Sequence, residues 1–595
     1  MPSLDKKPLF FAALWRSHRR LTVAWWTLIL VQGILPAVFV VAVGILVGAV
    51  TGEDPLRTPL LLIGVVFVLM QVVTPLRTQV GSLLGEHVSD RLHDRLLVAA
   101  NAPDGVAHLE DRAHMDELTA ARDFDLGMTG PPLHLSMGII AGGLVEAVAG
   151  LAQAIVLAGY AWWAPFLVGG AWLCTHWLLR ESSQWDRDTG EVLDAQRRAE
   201  YSYRLAVDSP AAKEIRLFGL ASLLTQRFAT DRRDLVELRW HATRLRRKPM
   251  RWAVMVLVVS GGLFFWSLGR DAASGTIDPG QVSTFAYAAV GASALAFGGL
   301  NWALSLATDA VVSVLRVERT MSTTATARSV VSGREPAEGT PASEIRFRDV
   351  GFSYPGMSTP VLDGLDLTVA AGSSLAVVGV NGAGKSTLVK LLCRLYDPVS
   401  GKIEVDGTDL KDLDLESWRR RVSAIFQDFI RYELPLKDNV APLGASPEEV
   451  HEALAIAGAT DLRDVETVLS PGYSKGTDLS GGQWQRVALA RVLCAVNQGA
   501  GVVVLDEPTA QLDVRGEAEV FDRVLEATRG CTTILISHRF STVRRADRIC
   551  VVDEGRVVEL GSHDELMALK GTYARLFRLQ AARFNEAQDG ADHVE

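Results

Sequence analysis

Cysteine is scarce in this sequence: five residues in 595, Cys174, Cys393, Cys494, Cys531 and Cys550. No two stand at the spacing of a zinc-ligand pair, and Cys174 falls in an apolar run. Neither a cysteine metal site nor a disulfide framework is expected. A surplus of positive charge is missing too. Lys and Arg total 60 against 69 Asp and Glu, a net charge of −9, whereas a nucleic-acid binder usually presents a basic domain. Lysine is the rarer cation, which with the many Ala, Gly and Val residues points to a GC-rich bacterial genome rather than to a function. A cleavable leader is not expected either. Residues 8–20 are basic and amphipathic, with Phe10, Phe11 and Trp15 on one side. The apolar run behind them is too long for a signal core and lacks a convincing cleavage site. They read as an elbow helix in the membrane interface.

Apolar residues, in contrast, are plentiful. They make up 48% of the chain, and the mean hydropathy of +0.18 is high for a soluble protein. Yet 22% charged residues is too many for a protein lying wholly in a bilayer. The length also exceeds what one core supports. A chain divided into membrane and soluble parts meets both constraints. Six apolar runs lie in the first half, at residues 22–50, 59–80, 133–159, 161–179, 250–268 and 282–307. Each approaches or exceeds the ~20 residues that cross ~30 Å of hydrocarbon as a helix. One such run fits the buried core of a large soluble protein; six in succession predict an all-α, six-helix transmembrane domain. Pro36, Pro75 and Pro165 bend their helices without preventing insertion.

Orientation follows from Lys and Arg in the connections. Lys6, Lys7, Arg16, Arg19 and Arg20 precede the first run, and a long series from Arg187 to Lys248 separates the fourth from the fifth. The turns after the first and fifth runs carry only Arg57 and Arg270. Both termini are therefore expected in the cytoplasm. The inward connections, 81–130 and 180–249, read as membrane helices continued into the cytoplasm, with short transverse helices over 109–124 and 209–224. Glu146 stands midway along the third run, where a carboxylate is costly and normally faces a cavity or a partner. It is the candidate for a substrate cavity, pairing with a neighbouring helix being the other reading. Residues 322–342 shift to Ser, Thr, Ala, Gly, Pro and Glu and read as a linker.

The second half opens an α/β pattern. GVNGAGKST at residues 379–387 fits G-x-x-x-x-G-K-[ST], between an apolar strand and a helix. Gly379, Val380, Asn381, Gly382, Ala383 and Gly384 supply backbone N–H groups to phosphate, Lys385 reaches the outer phosphates, and the Ser386 hydroxyl suits magnesium, with Thr387 beside it. Tyr354 lies upstream and can stack on a base. Gln427 follows an apolar strand and offers an amide oxygen to magnesium. Leu479, Ser480, Gly481, Gly482 and Gln483 open a helix. Residues 502–505 form an apolar strand ending in Asp506 and Glu507, Asp513 follows, and His538 comes after another strand.

This order of motifs resembles the ABC transporter superfamily, specifically an exporter-type (type IV fold) half-transporter with its membrane domain fused ahead of its ATPase domain. LSGGQ between a phosphate loop and VVVLDEPT carries the resemblance most specifically. It implies a transmembrane domain over 1–321 with coupling helices, the linker over 322–342, an α/β phosphate-loop ATPase over 343–585 and a tail over 586–595. It further implies ATP and Mg2+ as cofactors, Tyr354 as the adenine-stacking aromatic, and Gln427 as the Q-loop residue. Residues 479–483 become the signature, acting on the nucleotide of a second subunit, and Asp513 belongs to the D-loop. Magnesium falls to Ser386, Gln427 and Asp506. Glu507, His538 and Lys385 form the catalytic set: Glu507 orients and deprotonates water, and His538 contacts the γ-phosphate. The pattern departs at 470–476, which lack a Glu-containing stretch common in the family, and at Ala510, where Ser is frequent.

One chain with six spans and one ATPase domain implies a dimer, a homodimer with two competent sites or a heterodimer with a degenerate partner, working by ATP-driven alternating access. The expected location is the bacterial inner membrane, among lipid, with a hydrophobic or peptide-like substrate and no nucleic acid. Short external turns and the lack of an amino-terminal peptidase favour export of a peptide, natural product, drug or lipid without leader trimming. A metal-chelate importer of the same architecture, a lipid flippase and a non-transporting regulatory ATPase are the alternatives.

Overall fold

The computed structural model describes residues 7–122, 132–184, 190–208, 211–245, 247–296, 300–327, 330–508 and 514–580. The chain divides into two compact units, residues 1–97 with 118–316 and residues 98–117 with 317–595.

Helices build the first unit. α1 (Lys7–Ser17) leads into α2 (Arg19–Thr51), where His18 caps the second helix by accepting from the Leu21 N–H at 3.2 Å. α3 (Arg57–Asn101) has 45 residues. At 1.5 Å per residue it rises about 68 Å, more than twice the ~30 Å of hydrocarbon. Where one transverse helix is predicted over 109–124, extended Asp111 separates α4 (Ala107–Glu110), which belongs to the second unit, from α5 (Arg112–Arg122). α6 (Leu133–Leu157) precedes a π-helical turn at Pro165–Gly169, and α7 (Gly170–Gln184) continues it. α8 (Gly190–Val207) and α10 (Ala221–Leu245) pair over Val192, Ala195 and Leu235, with α9 (Ala212–Leu217) between them. There the Ser202 hydroxyl donates to Asp231 at 2.6 Å.

α11 (Arg247–Ala273) is followed by α12 (Pro279–Gly291), a 3-10 turn at Ala292–Leu295, and α13 (Leu300–Ala327). Among the described residues four helices are long and apolar enough to cross a membrane: α2, α3, α6 and Met250–Ala273 of α11. The fourth and sixth apolar runs are built in pieces, the fourth beginning at Pro165, which has no N–H to give. In lipid, helices associate through close packing of small residues. Accordingly Gly33 of α2 abuts Val145 and Val148 of α6, and Gly44 of α2 abuts Gly280 and Thr284 of α12. Near the far end of α6, the Tyr160 hydroxyl donates to Asp271 at 2.6 Å and lies against Phe264 and Phe285.

The second unit is α/β. Its strands are β1 (Glu344–Phe352), β2 (Leu362–Ala370), β3 (Ser374–Val378), β4 (Ser400–Val405), β5 (Thr408–Asp409), β6 (Val422–Ile425), β7 (Val502–Asp506), β8 (Thr532–Ile536), β9 (Arg548–Asp553) and β10 (Arg556–Gly561). One sheet is antiparallel, in the order β2-β1-β4-β5. The other, β10-β9-β3-β8-β7-β6, is parallel except at β9–β10. Period-2 alternation gives the parallel sheet two apolar faces. Val377, Val502, Val504, Ile534 and Ile536 pack on one side, and Ala376, Val378, Val503, Leu505 and Leu535 on the other.

The helices of this unit after α13 are α14 (Lys385–Leu392), α15 (Leu415–Arg421), α16 (Leu436–Val440), α17 (Pro447–Ile456), α18 (Gly481–Asn497), α19 (Val514–Ala527), α20 (Phe540–Val543) and α21 (His563–Leu569). The stretch whose composition reads as a linker stays helical to Ala327 and then bonds along this unit. Buried Arg394 donates to the Val331 carbonyl at 2.7 Å, and Gly333 N–H to Leu413 at 3.0 Å.

Candidate nucleotide site

Three parallel strands, β3, β7 and β8, bring their carboxyl ends together, the usual place for a ligand crevice in an open α/β sheet. From β3 the chain turns through residues 379–384 into α14. Gly384 holds φ 100°, a left-handed geometry that favours glycine, and a methyl group there would press on Leu362. A methyl at Gly379 would strike the Val552 carbonyl. Lys385 folds back over the loop and donates to the carbonyls of Gly379 and Val380, each at 3.0 Å. Burial lowers its pKa, while Glu507 and Asp506 pull the other way. Its ammonium is thus held at the loop's own acceptors, where an anion can draw it away.

Asp506 is the last residue of β7 and is 3% exposed. It accepts from the Ser386 hydroxyl at 2.8 Å. Burial raises the Asp506 carboxyl above the usual carboxylate range. A buried carboxylate sharing a hydroxyl at a phosphate loop is an oxygen set that suits magnesium, which takes few protein ligands and completes its shell with water and phosphate. Gln427, two residues beyond β6, is exposed.

Glu507 follows with φ 49°, its N–H anchored on the Ile536 carbonyl at 2.9 Å. His538 Nδ1 lies 3.0 Å from the Glu507 carboxylate. That geometry aims an imidazole N–H at the acid, so the two side chains predicted to act together are in contact. Gln485 of α18 donates to the Glu507 carbonyl at 3.4 Å. The Tyr354 hydroxyl lies 3.0 Å from that of Thr387, which sets the ring beside α14. Asp513 lies outside the described residues.

The signature occupies the start of α18. Ser480 accepts from the Gln483 N–H at 3.3 Å, and the Gln483 side chain accepts from the Ser480 N–H at 3.0 Å, a reciprocal capping box. Gln483 also donates to Asp461 at 2.7 Å. Leu479 is buried and Ser480 exposed, so the helix presents its first turn outward.

One part of the site has no motif. Lys390, a turn and a half along α14 from Lys385, lies 5.2 Å from the Tyr354 ring centre and 3.4 Å from Glu110 in α4. Glu110 also accepts from the Tyr396 hydroxyl. Burial lowers the Lys390 pKa, but Tyr354 and Glu110 outweigh it and hold it above the usual lysine range. Beside these contacts lies a cavity of about 530 Å3, lined in part by Gly105, His108, Tyr354, Met357 and Tyr396. The only sequence signal is the polar break near residue 109, whose partner is 280 residues away.

Comparison with known proteins agrees with this geometry. Residues 362–510 match the family model described as ABC transporter. The chain is 40% identical over 257 residues to an ATP-dependent lipid A-core flippase of Thiobacillus denitrificans, covering 42% of this chain and 43% of that protein. It is 42% identical over 246 residues to the ABC multidrug transporter atrD of Emericella nidulans, covering 40% of this chain and 18% of that one. The chain thus aligns with less than half the length of these relatives. A solved bacterial Atm1-family ABC exporter with ATP bound superposes with a TM-score of 0.71 at 25% identity, over 95% of this chain and 99% of its own. The site at the ends of β3, β7 and β8 thus lies in a domain that matches the ABC transporter family over residues 362–510, and apolar helices precede it in the order of the fused exporter on which the chain superposes.

Proposed function

We propose that this chain hydrolyses ATP to export a hydrophobic or amphipathic substrate across a bacterial inner membrane, working as a homodimer with both termini in the cytoplasm. The observation that carries this reading is the disposition of two helix starts. α14 opens beneath the phosphate loop with Lys385, Ser386, Asp506 and Glu507 around it, while α18 presents an exposed Ser480 at the start of its signature with no phosphate loop of its own. Head-to-tail pairing of two chains supplies each signature with a nucleotide. The second excursion fits such pairing, because Leu217 and Phe218 at the end of α9 are 79% and 67% exposed.

In this reading residues 1–321 form the transmembrane domain and residues 343–585 the ATPase, with Glu146 lining the transport cavity. Loop N–H groups and the start of α14 bind the phosphates. Tyr354 stacks on adenine, and Asp513 lies at the joint between the two ATPase domains. Ser386, Asp506 and Gln427 would hold magnesium, which when bound neutralises charge on the outer phosphates. Lys385 leaves its loop carbonyls for the γ-phosphate. Glu507 orients water and takes its proton, and His538 holds the Glu507 carboxylate in place and contacts the γ-phosphate. Closure of the dimer is a two-state event biased by nucleotide, and it turns the cavity outward.

The test is ATP-dependent uptake of fluorescent amphiphiles into inside-out vesicles. Wild-type chain accumulates them, and Glu507→Gln binds ATP yet accumulates none. Movement in the opposite direction would favour the importer reading, and ATPase activity indifferent to every amphiphile would favour the regulatory one.

A further inference from the structure

His538 holds a direction without being buried. Its side chain is 62% exposed, yet Nδ1 stands 3.0 Å from the Glu507 carboxylate. An exposed ring keeps such an aim only where the backbone on both sides of it is fixed. Upstream that is so. The Ile536 carbonyl at the end of β8 accepts from the Glu507 N–H at 2.9 Å, and the buried Ser537 hydroxyl accepts from the Arg539 N–H at 3.0 Å, bridging His538. Downstream lies α20, four residues long. A single helical turn does not hold itself in water. Buried Val543 roots its far end in the core. At its near end the N-cap is Arg539, whose side chain has no acceptor to offer the first N–H groups.

The missing support comes from the last described stretch of the chain. Residues 572–580 are helical, and Tyr573, Phe577 and Gln580 fall at i, i+4 and i+7, on one face. That face meets Phe540. The Phe540 ring packs edge-on against Tyr573, 5.3 Å between centres, and against Phe577, 5.4 Å. The Phe540 N–H donates to Gln580 Oε1 at 3.3 Å. The segment is seated in its turn. Glu559 of β10 accepts from the N–H groups of Thr572 and Tyr573, where a carboxylate suits the helix start. His563 Nδ1 lies 2.7 Å from the hydroxyl of fully buried Tyr573. Contacts therefore run from β10 through this segment to the residue two places beyond His538, and none of their members belongs to a nucleotide-site motif.

We propose that Phe577 and Gln580 are positioning residues for ATP hydrolysis, holding through Phe540 the loop that aims His538 at Glu507. This inference rests on the catalytic reading of Glu507 and His538 above, and its test separates the two. The full chain in detergent is given radiolabelled ATP under single-turnover conditions, and each rate is divided by the nucleotide bound.

Phe577→Ala and Gln580→Leu are expected to slow hydrolysis about tenfold and about fivefold, the scale of a catalytic group left loosely aimed. ATP affinity stays at the wild-type value in both. Gln580→Glu keeps an acceptor for the Phe540 N–H and restores the rate. In a His538→Ala chain, Gln580→Leu costs nothing further, because the group it positions is gone. The same fold-loss in both backgrounds, a parallel loss of ATP affinity, or wild-type rates in Phe577→Ala and Gln580→Leu overturns the inference while leaving Glu507 and His538 in their roles. Where His538→Ala hydrolyses too little to measure, Gln580→Glu decides, and its failure to restore the rate overturns the inference. Wild-type hydrolysis by His538→Ala removes the catalytic reading of His538 itself, and the inference with it.

Discussion

α14 and α18 both begin with glycine and serine near the same sheet, and they are finished differently. α14 starts after Gly384, which has no side chain to cap it, so its first N–H groups stay available. Lys385, Ser386 and Asp506 gather around that end. α18 is closed by its own Ser480–Gln483 box and tied to Asp461, and it has neither lysine nor Asp506-like carboxylate in its first turn. An anion site left open beside charge serves a ligand directly. A capped helix start that faces outward is rigid before anything arrives. The difference fits the proposed pairing, in which one start holds phosphate and the other closes on it.

The largest effects should come from breaking either half. Lys385→Ala is expected to lower turnover on the order of 10²-fold or more, the scale seen when a group holding a transferring charge is removed. Nucleotide binding should weaken with it. Ser480→Arg should lower turnover to a similar extent while leaving nucleotide binding by the loop intact, as measured by titration with a fluorescent ATP analogue. Equal loss of binding in both variants would erase the distinction between the helix starts.

Mixing those two defective chains sharpens the comparison. In a head-to-tail pair, one site inherits both lesions and the other inherits none. Random 1:1 association should therefore leave on the order of a quarter of all sites intact. ATPase activity should reappear on mixing two inactive preparations, measured after co-reconstitution. If the mixture stays as inactive as its parts, the signature of one chain does not serve the loop of another.

How much of this contrast is legible in the sequence depends on how local it is. The strand, glycine turn and helix around 379–387 are legible because they are contiguous, and so is the helix start at 479–483, whereas the reciprocal Ser480–Gln483 box emerges only in the structure. Asp506 and Glu507 announce themselves by ending an apolar strand. Contacts between distant residues leave no such trace. Lys390 and Glu110 are separated by 280 positions, and nothing in either neighbourhood names the other. The transverse helix is predicted over 109–124, but the short α4 ends at Glu110 because Asp111 is extended. Apolarity marks the sixth run without marking its interruption, since Gly291 to Leu295 are as hydrophobic on average as a continuous helix would be. Composition reads 322–342 as a linker; only the buried Arg394 shows that its second half lies along the ATPase unit.

A smaller effect tests the rigidity of α18. Ser480→Ala removes the hydroxyl of the box and should cost about 1 kcal/mol of stability. The measurement is denaturant unfolding of the nucleotide-free chain, following the ATPase unit. Its turnover should fall far less than in Ser480→Arg, because the helix start remains open to a partner. No change in stability would mean that the box contributes nothing beyond what the Asp461 contact already holds.

The smallest effect lies on the other side and has the opposite sign. Burial raises the Asp506 pKa above its ordinary 3.8, so the folded state binds that proton more tightly than the unfolded one. Stability of the nucleotide-free chain should therefore fall as pH rises from about 3.8 through the raised value, and the penalty persists at neutral pH. Half-buried Lys385, with its pKa lowered by desolvation, is penalised in the same direction at neutral pH. Asp506→Asn keeps an acceptor for Ser386 and removes the buried charge. It should raise the Tm of the nucleotide-free protein at pH 7 and flatten its acid-side slope. It should also abolish the rise in Tm that Mg-ATP produces in wild type. A lower Tm in Asp506→Asn would show that the carboxylate stabilises its own fold. The higher Tm expected here assigns its charge to the ligand, and α18, which buries no such charge, should show no counterpart.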